Sequence, residues 1–225
     1  MDLAKPVIDV GVFTSDREAS LRFWQDEVGL PFEELLPIGG GVHQLRHGMN
    51  GSVLKLNHPR SPLPASPPSG YRELWIARKG LGEAKALCDP HGQPVHLVAP
   101  GERGVSGIGV TVGVRDPVAQ RRFYVEGLGL EETERDVYRC GESLLFVERD
   151  ADAKADVPMQ GLGFRYLTIQ IRDCEGVHRQ VLSRGGLEGA PPRRMGDVAI
   201  FSMVRDPDGN WIELSQRRSL TGSLD

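Results

Sequence analysis

The stretch Gly11–Leu30, GVFTSDREASLRFWQDEVGL, recurs over Gly109–Leu130 as GVTVGVRDPVAQRRFYVEGLGL. Asp16 matches Asp116, Arg22-Phe23-Trp24 matches Arg122-Phe123-Tyr124, and Gly29-Leu30 matches Gly129-Leu130, all at an offset of 100 residues. A second pair follows the same logic: YRELWIAR from Tyr71 resembles FRYLTIQI from Phe164, and DPHGQPVHL from Asp89 resembles DPDGNWIEL from Asp206. Four units in two pairs result, and self-similarity of this kind decides architecture ahead of any local propensity.

Each full unit reads as a strand, a helix and three more strands. Ile8–Thr14 alternates as a strand does, and Ser15 or Asp16 can cap a helix over Arg17–Val28 in which Leu21, Trp24 and Val28 fall at helical spacing. Gly29 ends it. Phe32–Leu36, Val42–His47 and Ser52–Asn57 then form a meander closed by an Asn50-Gly51 turn. The two DPxG sequences make the turns before the last strands. Asn57–Gly70, with five prolines, is a stiff connector, and Asp150–Asp156 is an acidic one. The second unit departs from the pattern. It lies 93 residues from the fourth at the first strand but 117 at the DPxG turn, so it is 24 residues short and has only Lys79–Glu83 where the fourth has a helix and a strand.

Composition narrows the function. Of 225 residues, 39% are apolar and 26% charged, which excludes a disordered chain, and the net charge of −4 comes from dispersed charges that offer no footprint for nucleic acid. No leader pattern and no apolar run of membrane-spanning length is present, so the chain reads as cytoplasmic with no membrane partner. Cys88, Cys140 and Cys174 lack metal or disulfide spacing and read as buried thiols. Gly39-Gly40-Gly41 lacks the context of a phosphate loop, so no nucleotide cofactor is indicated.

Paired βαβββ units with an RFW or RFY helix, a following VGL or LGL and a DPxG turn resemble the vicinal oxygen chelate superfamily, the group of glyoxalase I, extradiol dioxygenases and bleomycin-resistance proteins. The resemblance covers about residues 6 to 216 and implies an α+β fold of two glyoxalase-like domains, 1–100 and 104–216, with a tail at 217–225. In that superfamily a divalent ion (Fe, Mn, Ni, Co or Zn) sits on a concave sheet face, held by imidazoles and carboxylates that leave room for two substrate oxygens.

On this template the four ligand positions of the N-terminal pair are Asp9, Lys55, Glu73 and His96, and those of the C-terminal pair are Gly109, Phe146, Tyr166 and Glu213. Two readings of the N-terminal set stand side by side. Asp9, Glu73 and His96 bind a metal, with Glu73 and His96 catalytic, or Lys55 replaces the metal in a charge network. A two-residue turn at Asn50-Gly51 would set Arg46 beside Lys55 and Gln44 beside Asn57, so that two cations face an anionic substrate. His43 and His47 turn away from the cup, and Trp24 and Tyr124 read as core. The resemblance implies a metal-dependent lyase or isomerase acting on a small oxygenated molecule in the N-terminal cup. The C-terminal set disfavours an extradiol dioxygenase. The alternative is a metal-free binding protein with an apolar C-terminal cup around Phe146 and Tyr166, in which Glu213 accepts a substrate hydrogen bond. Leu74 and Ile76 lie behind the shortened unit and need cover from the other domain or from a second copy, which makes a homodimer an expectation.

Overall fold

The structure, a computed structural model, describes residues 1–224. Unit one comprises strands β1 (Leu3–Phe13), β2 (Phe32–Pro37), β3 (Val42–Met49) and β4 (Ser52–Pro59), and unit two comprises β5 (Tyr71–Ala77), β6 (Lys85–Cys88) and β7 (Pro94–Val98). Unit three holds β8 (Ile108–Val114), β9 (Glu131–Glu134), β10 (Val137–Cys140) and β11 (Ser143–Arg149). Unit four holds β12 (Gly163–Ile171), β13 (Leu187–Met195), β14 (Ala199–Arg205) and β15 (Trp211–Arg217). The shortened unit has no helix between β5 and β6, whereas unit four carries one at Cys174–Ser183.

The helices start where carboxylates can take orphan amides: Asp16 accepts from Ala19 N, Asp116 from Val118 N and Ala119 N, and Asp173 from Gly176 N. The helix expected over Arg17–Val28 changes character half-way. Arg17–Leu21 is α-helical and Arg22–Glu27 is a π-turn in which Val28 N reaches Phe23 O, five residues back. Unit three repeats the device with Leu128 N on Phe123 O. The wider turn seats Phe23, Trp24, Phe123 and Tyr124 in the core, all at most 4% exposed.

Strand pairing corrects the expected domain split. The first sheet has the order β13-β14-β15-β12-β1-β4-β3-β2 and the second β6-β7-β5-β8-β11-β10-β9, so unit one pairs with unit four and unit two with unit three. The boundary expected near residue 100 therefore separates no sheet from the other. The join in the first sheet is antiparallel, with Asp9 opposite Thr168 and Gly11 opposite Tyr166. In the second it sets Glu73 opposite Thr111 and Trp75 opposite Gly109.

One face of each sheet belongs to a shared core. Ile8, Val10 and Val12 of β1 join Leu74 and Ile76 of β5, Val110 and Val112 of β8 and the helix residues Phe23 and Trp24 in a single buried cluster. Arg78 reinforces the seam by donating to the Val28 carbonyl, and Asn50 Nδ2 donates to the carbonyls of Ala77 (2.7 Å) and Gly107 (3.0 Å). Leu74 and Ile76 are thus covered from within the chain, at 0% and 1% exposure, and they give no reason to invoke a second copy. Cys140 and Cys174 are buried as expected, but Cys88 is exposed on the edge strand β6. No helix among the described residues is long and apolar enough to cross a membrane.

Candidate functional site

The opposite faces of the two sheets are concave, and strand alternation decides what they present. With Ile8, Val10 and Val12 in the core, Asp9, Gly11 and Phe13 face the first cup. Its centre is a row across five strands, Arg46, Lys55, Gly11, Tyr166 and Trp211, each opposite the next. The expected register of β3 on β4 is the one formed, with Arg46 opposite Lys55 and Gln44 opposite Asn57. The turn that sets it has φ of 52° at Asn50 and 79° at Gly51, the left-handed pair that a two-residue hairpin requires.

Gly11 shapes this row. A Cβ there would stand 2.1 Å from Tyr166 Cε1, so the phenol ring lies across the glycine and reaches the strands beyond it. Its hydroxyl oxygen accepts from Asn57 Nδ2 at 3.2 Å and Gln44 Nε2 at 3.3 Å. The polarity of the surrounding amides runs one way. Arg46, which can only donate, gives a hydrogen bond to Gln44 Oε1 at 3.3 Å, and Gln44 Nε2 donates to Asn57 Oδ1 at 3.0 Å. Asn57 Nδ2 also donates to the carbonyls of Val12 and Lys55. Gln44 Nε2 thus gives one proton to Asn57 and the other to Tyr166, Asn57 Nδ2 shares its two protons among three acceptors, and the Tyr166 oxygen meets only N–H donors; among the described residues no side chain or carbonyl accepts its own proton. Burial and the neighbouring Glu213 charge push the Tyr166 pKa far up, so the hydroxyl remains a donor.

Beside it Lys55, 2% exposed, donates to Thr168 Oγ1 at 2.7 Å and to both Glu213 oxygens at 3.3 and 3.2 Å, while Thr168 donates to Glu213 Oε2 at 3.3 Å. Burial lowers the Lys55 pKa, Glu213 and Asp9 hold it up, and the positive charges of Arg46 and Arg217 depress it further. Asp9 is spoken for: its Oδ1 takes Lys5 Nζ at 2.7 Å and Val53 N at 2.9 Å, and its Oδ2 takes Gln170 Nε2 at 3.3 Å. Over this polar floor lies a cavity of about 230 Å³ whose wall is apolar, with Phe13, Ile38, Met159, Met195, Phe201 and Met203.

In the second cup the space in front of Glu73 and His96 is taken by neighbouring side chains, and a hollow of about 420 Å³ opens beside them, lined by Arg103, Val137, Leu144 and Phe146. Trp75 stacks on His96 with ring centroids 3.9 Å apart, its Nε1 donates to Thr111 at 3.0 Å, and the Arg103 guanidinium lies 4.4 Å from the Trp75 ring and 4.7 Å from that of Phe146. Glu73 accepts from Thr111 at 3.3 Å and stands 3.5 Å from His96 Nε2. A larger hollow of about 880 Å³ over the helix at Pro117–Arg122 is a surface of ion-paired side chains such as Arg121–Glu132 and Arg135–Asp136.

These placements rearrange the expected site. Glu73 and His96 come together, but Asp9 lies in the other sheet, because unit one pairs with unit four. The positions that meet in the first cup are Asp9, Lys55, Tyr166 and Glu213, and those in the second are Glu73, His96, Gly109 and Phe146. Neither set fits a divalent ion: the first centres on an ammonium already bonded to the Glu213 carboxylate, and the second offers one carboxylate and one imidazole beside a glycine and a phenylalanine. Among the described residues no three His, Cys, Asp or Glu side chains gather as ligands. The sequence groups Tyr166 and Glu213 with Phe146 in a separate C-terminal cup; in the structure Tyr166 and Glu213 share the cup of Lys55, while Phe146 lines the other. Arg46 stands where it was expected, bridged to Glu34 at 3.1 Å. Thr168, Arg217 and the methionine wall were not foreseen. Counting two residues along the strand from Tyr166 would have found Thr168, whereas the wall comes from β13, β14 and the segment before β12 that holds Met159, which no motif marks.

Residues 105–214 match the model of the Glyoxalase/Bleomycin resistance protein/Dioxygenase superfamily. The chain carries a domain of that superfamily. No curated protein sequence matches this chain. Among solved structures, glyoxalase I from Zea mays superposes over 97% of both chains with a TM-score of 0.72 at 13% identity, and a mutant of that enzyme gives 0.75 at 12% over the same shares. A putative dioxygenase from Bacillus subtilis matches 96% of this chain and 85% of its own with a TM-score of 0.68 at 13% identity. At these identities the likeness is one of fold, and one superfamily fold carries many chemistries.

Proposed function

We propose that this superfamily member binds a small oxygenated organic molecule in the cup built from β1, β3, β4, β12 and β15, without a metal ion. The observation that carries this reading is the Tyr166 hydroxyl, whose polar neighbours Gln44 Nε2 and Asn57 Nδ2 are donors only, so that its proton is offered to the cavity. A fixed donor at the floor of an apolar-walled cavity recognises a carbonyl, carboxylate or hydroxyl oxygen. Lys55, in the place of a metal ligand, supplies the positive charge, and Glu213 balances it. This favours the metal-free alternative over the metal-dependent lyase or isomerase.

A second reading rests on Glu73 and His96, which stand within proton-transfer reach once 3.5 Å closes by a fraction of an ångström. Trp75 and Arg103 occupy the space in front of them, which favours the first cup. The test is thermal unfolding of chelator-treated protein against a panel of small carbonyl, hydroxyl and carboxylate compounds. Compounds that raise Tm without added metal and fail to do so in Phe201→Asp support the reading. Stabilisation that needs a divalent ion, or that survives Phe201→Asp, contradicts it.

A further inference from the structure

Two cations line the cavity of the first cup, and their situations differ. Lys55 is neutralised by Glu213 at 3.2 Å. Arg217, at the end of β15, lines the same cavity, yet its guanidinium has no hydrogen-bond or ion-pair partner among the described residues. Its charge acts on the same site, since it adds to the forces that lower the Lys55 pKa. Of the described side chains lining the cavity, Glu213 alone is a carboxylate, and Lys55 already holds it. The lining therefore carries one positive charge more than it balances, and it also carries the unaccepted proton of Tyr166. Guanidinium meets carboxylate in a bidentate, charge-assisted geometry that a neutral amide cannot match. The remaining wall, Phe13, Met159, Met195, Phe201 and Met203, suits an apolar body, and the methionines can repack around differing shapes.

Resting on the binding-cup reading, we infer that the ligand is an organic monoanion: a carboxylate that pairs with Arg217, attached to an apolar body lying against the methionine wall. The probes are two matched pairs, octanoate with octanamide and naphthalene-2-carboxylate with naphthalene-2-carboxamide, titrated calorimetrically into the full chain. In at least one pair the acid should bind about tenfold or more tightly than the amide, and Arg217→Gln should remove that difference while leaving the amide's affinity unchanged. Raising the salt should weaken the acid alone. Equal affinities of acid and amide, lost together in Phe201→Asp, would overturn the monoanion and leave the cup as the binding site. Binding of acids that survives Phe201→Asp, or no binding by any of the four compounds, would overturn both readings.

Discussion

Removing the Glu213 carboxylate should leave a buried ammonium without its partner. At 3.2 Å and an effective dielectric of about 20, the attraction between Lys55 and Glu213 is about 5 kcal/mol before desolvation of either group is counted. Lys55 is 3% exposed at its side chain and Glu213 17%, so Glu213→Gln costs a large part of that, about 3 kcal/mol, since Thr168 remains as a neutral acceptor. Lys55→Met, which leaves the more exposed carboxylate behind, should cost about 1 to 2 kcal/mol, and the double variant should lie within about 1 kcal/mol of the parent. The assay is urea unfolding of all four proteins with matched m-values. The pH dependence supplies a second check. Loss of Glu213 removes the main charge holding the Lys55 pKa up, so the folded pKa falls further below the unfolded value. Between the two values the unfolded chain binds more protons, and stability must rise with pH there. The cost of Glu213→Gln should thus be larger at pH 7 than at pH 9.5. Additive costs in the double variant, or a penalty that grows with pH, would refute the pairing argument.

Three further outcomes follow from the geometry. Gly11→Ala places a methyl inside the Tyr166 ring and should cost about 1 to 3 kcal/mol in chemical unfolding, and adding Tyr166→Ala should recover part of that loss. Tyr166→Phe should reduce ligand affinity about tenfold by calorimetry while Glu73→Gln leaves it unaltered. Asp206 is buried in the last DPDG turn with its pKa pushed up to about 6 by burial. The folded state therefore binds more protons between the ordinary carboxylate value and about 6, and stability should fall as pH rises through that window. Asp206→Asn should flatten that slope in unfolding titrations.

Much of the fold could be read from repetition alone. The caps Asp16 and Asp116, the Asn50-Gly51 turn and the shortening of the second unit are each internal to a single unit, where spacing is informative. The register that sets Arg46 beside Lys55 depends on two turn residues and was equally accessible. The partnership of whole units was not. Each unit offers equivalent positions, and pairing β1 with β12 closes a separation of about 160 residues that no local pattern encodes. A size signal was available: Gly11 opposite Tyr166 and Gly109 opposite Trp75 join a missing side chain to a large one across each central pair. Without it, Asp9, Glu73 and His96 look like one ligand set because their chemistry is compatible, although they lie on different sheets.

The central claim is that a ligand oxygen meets the Tyr166 proton in the cup of the first sheet. A crystal structure of chelator-treated protein with naphthalene-2-carboxylate tests it most directly. The account predicts a carboxylate oxygen within hydrogen-bond distance, about 2.7 Å, of Tyr166 Oη, with the carboxylate on the Arg217 side and the ring system against Phe201 and Met203. A ligand seated instead in the second cup between Glu73, His96 and Phe146, with Arg103 displaced, would contradict it.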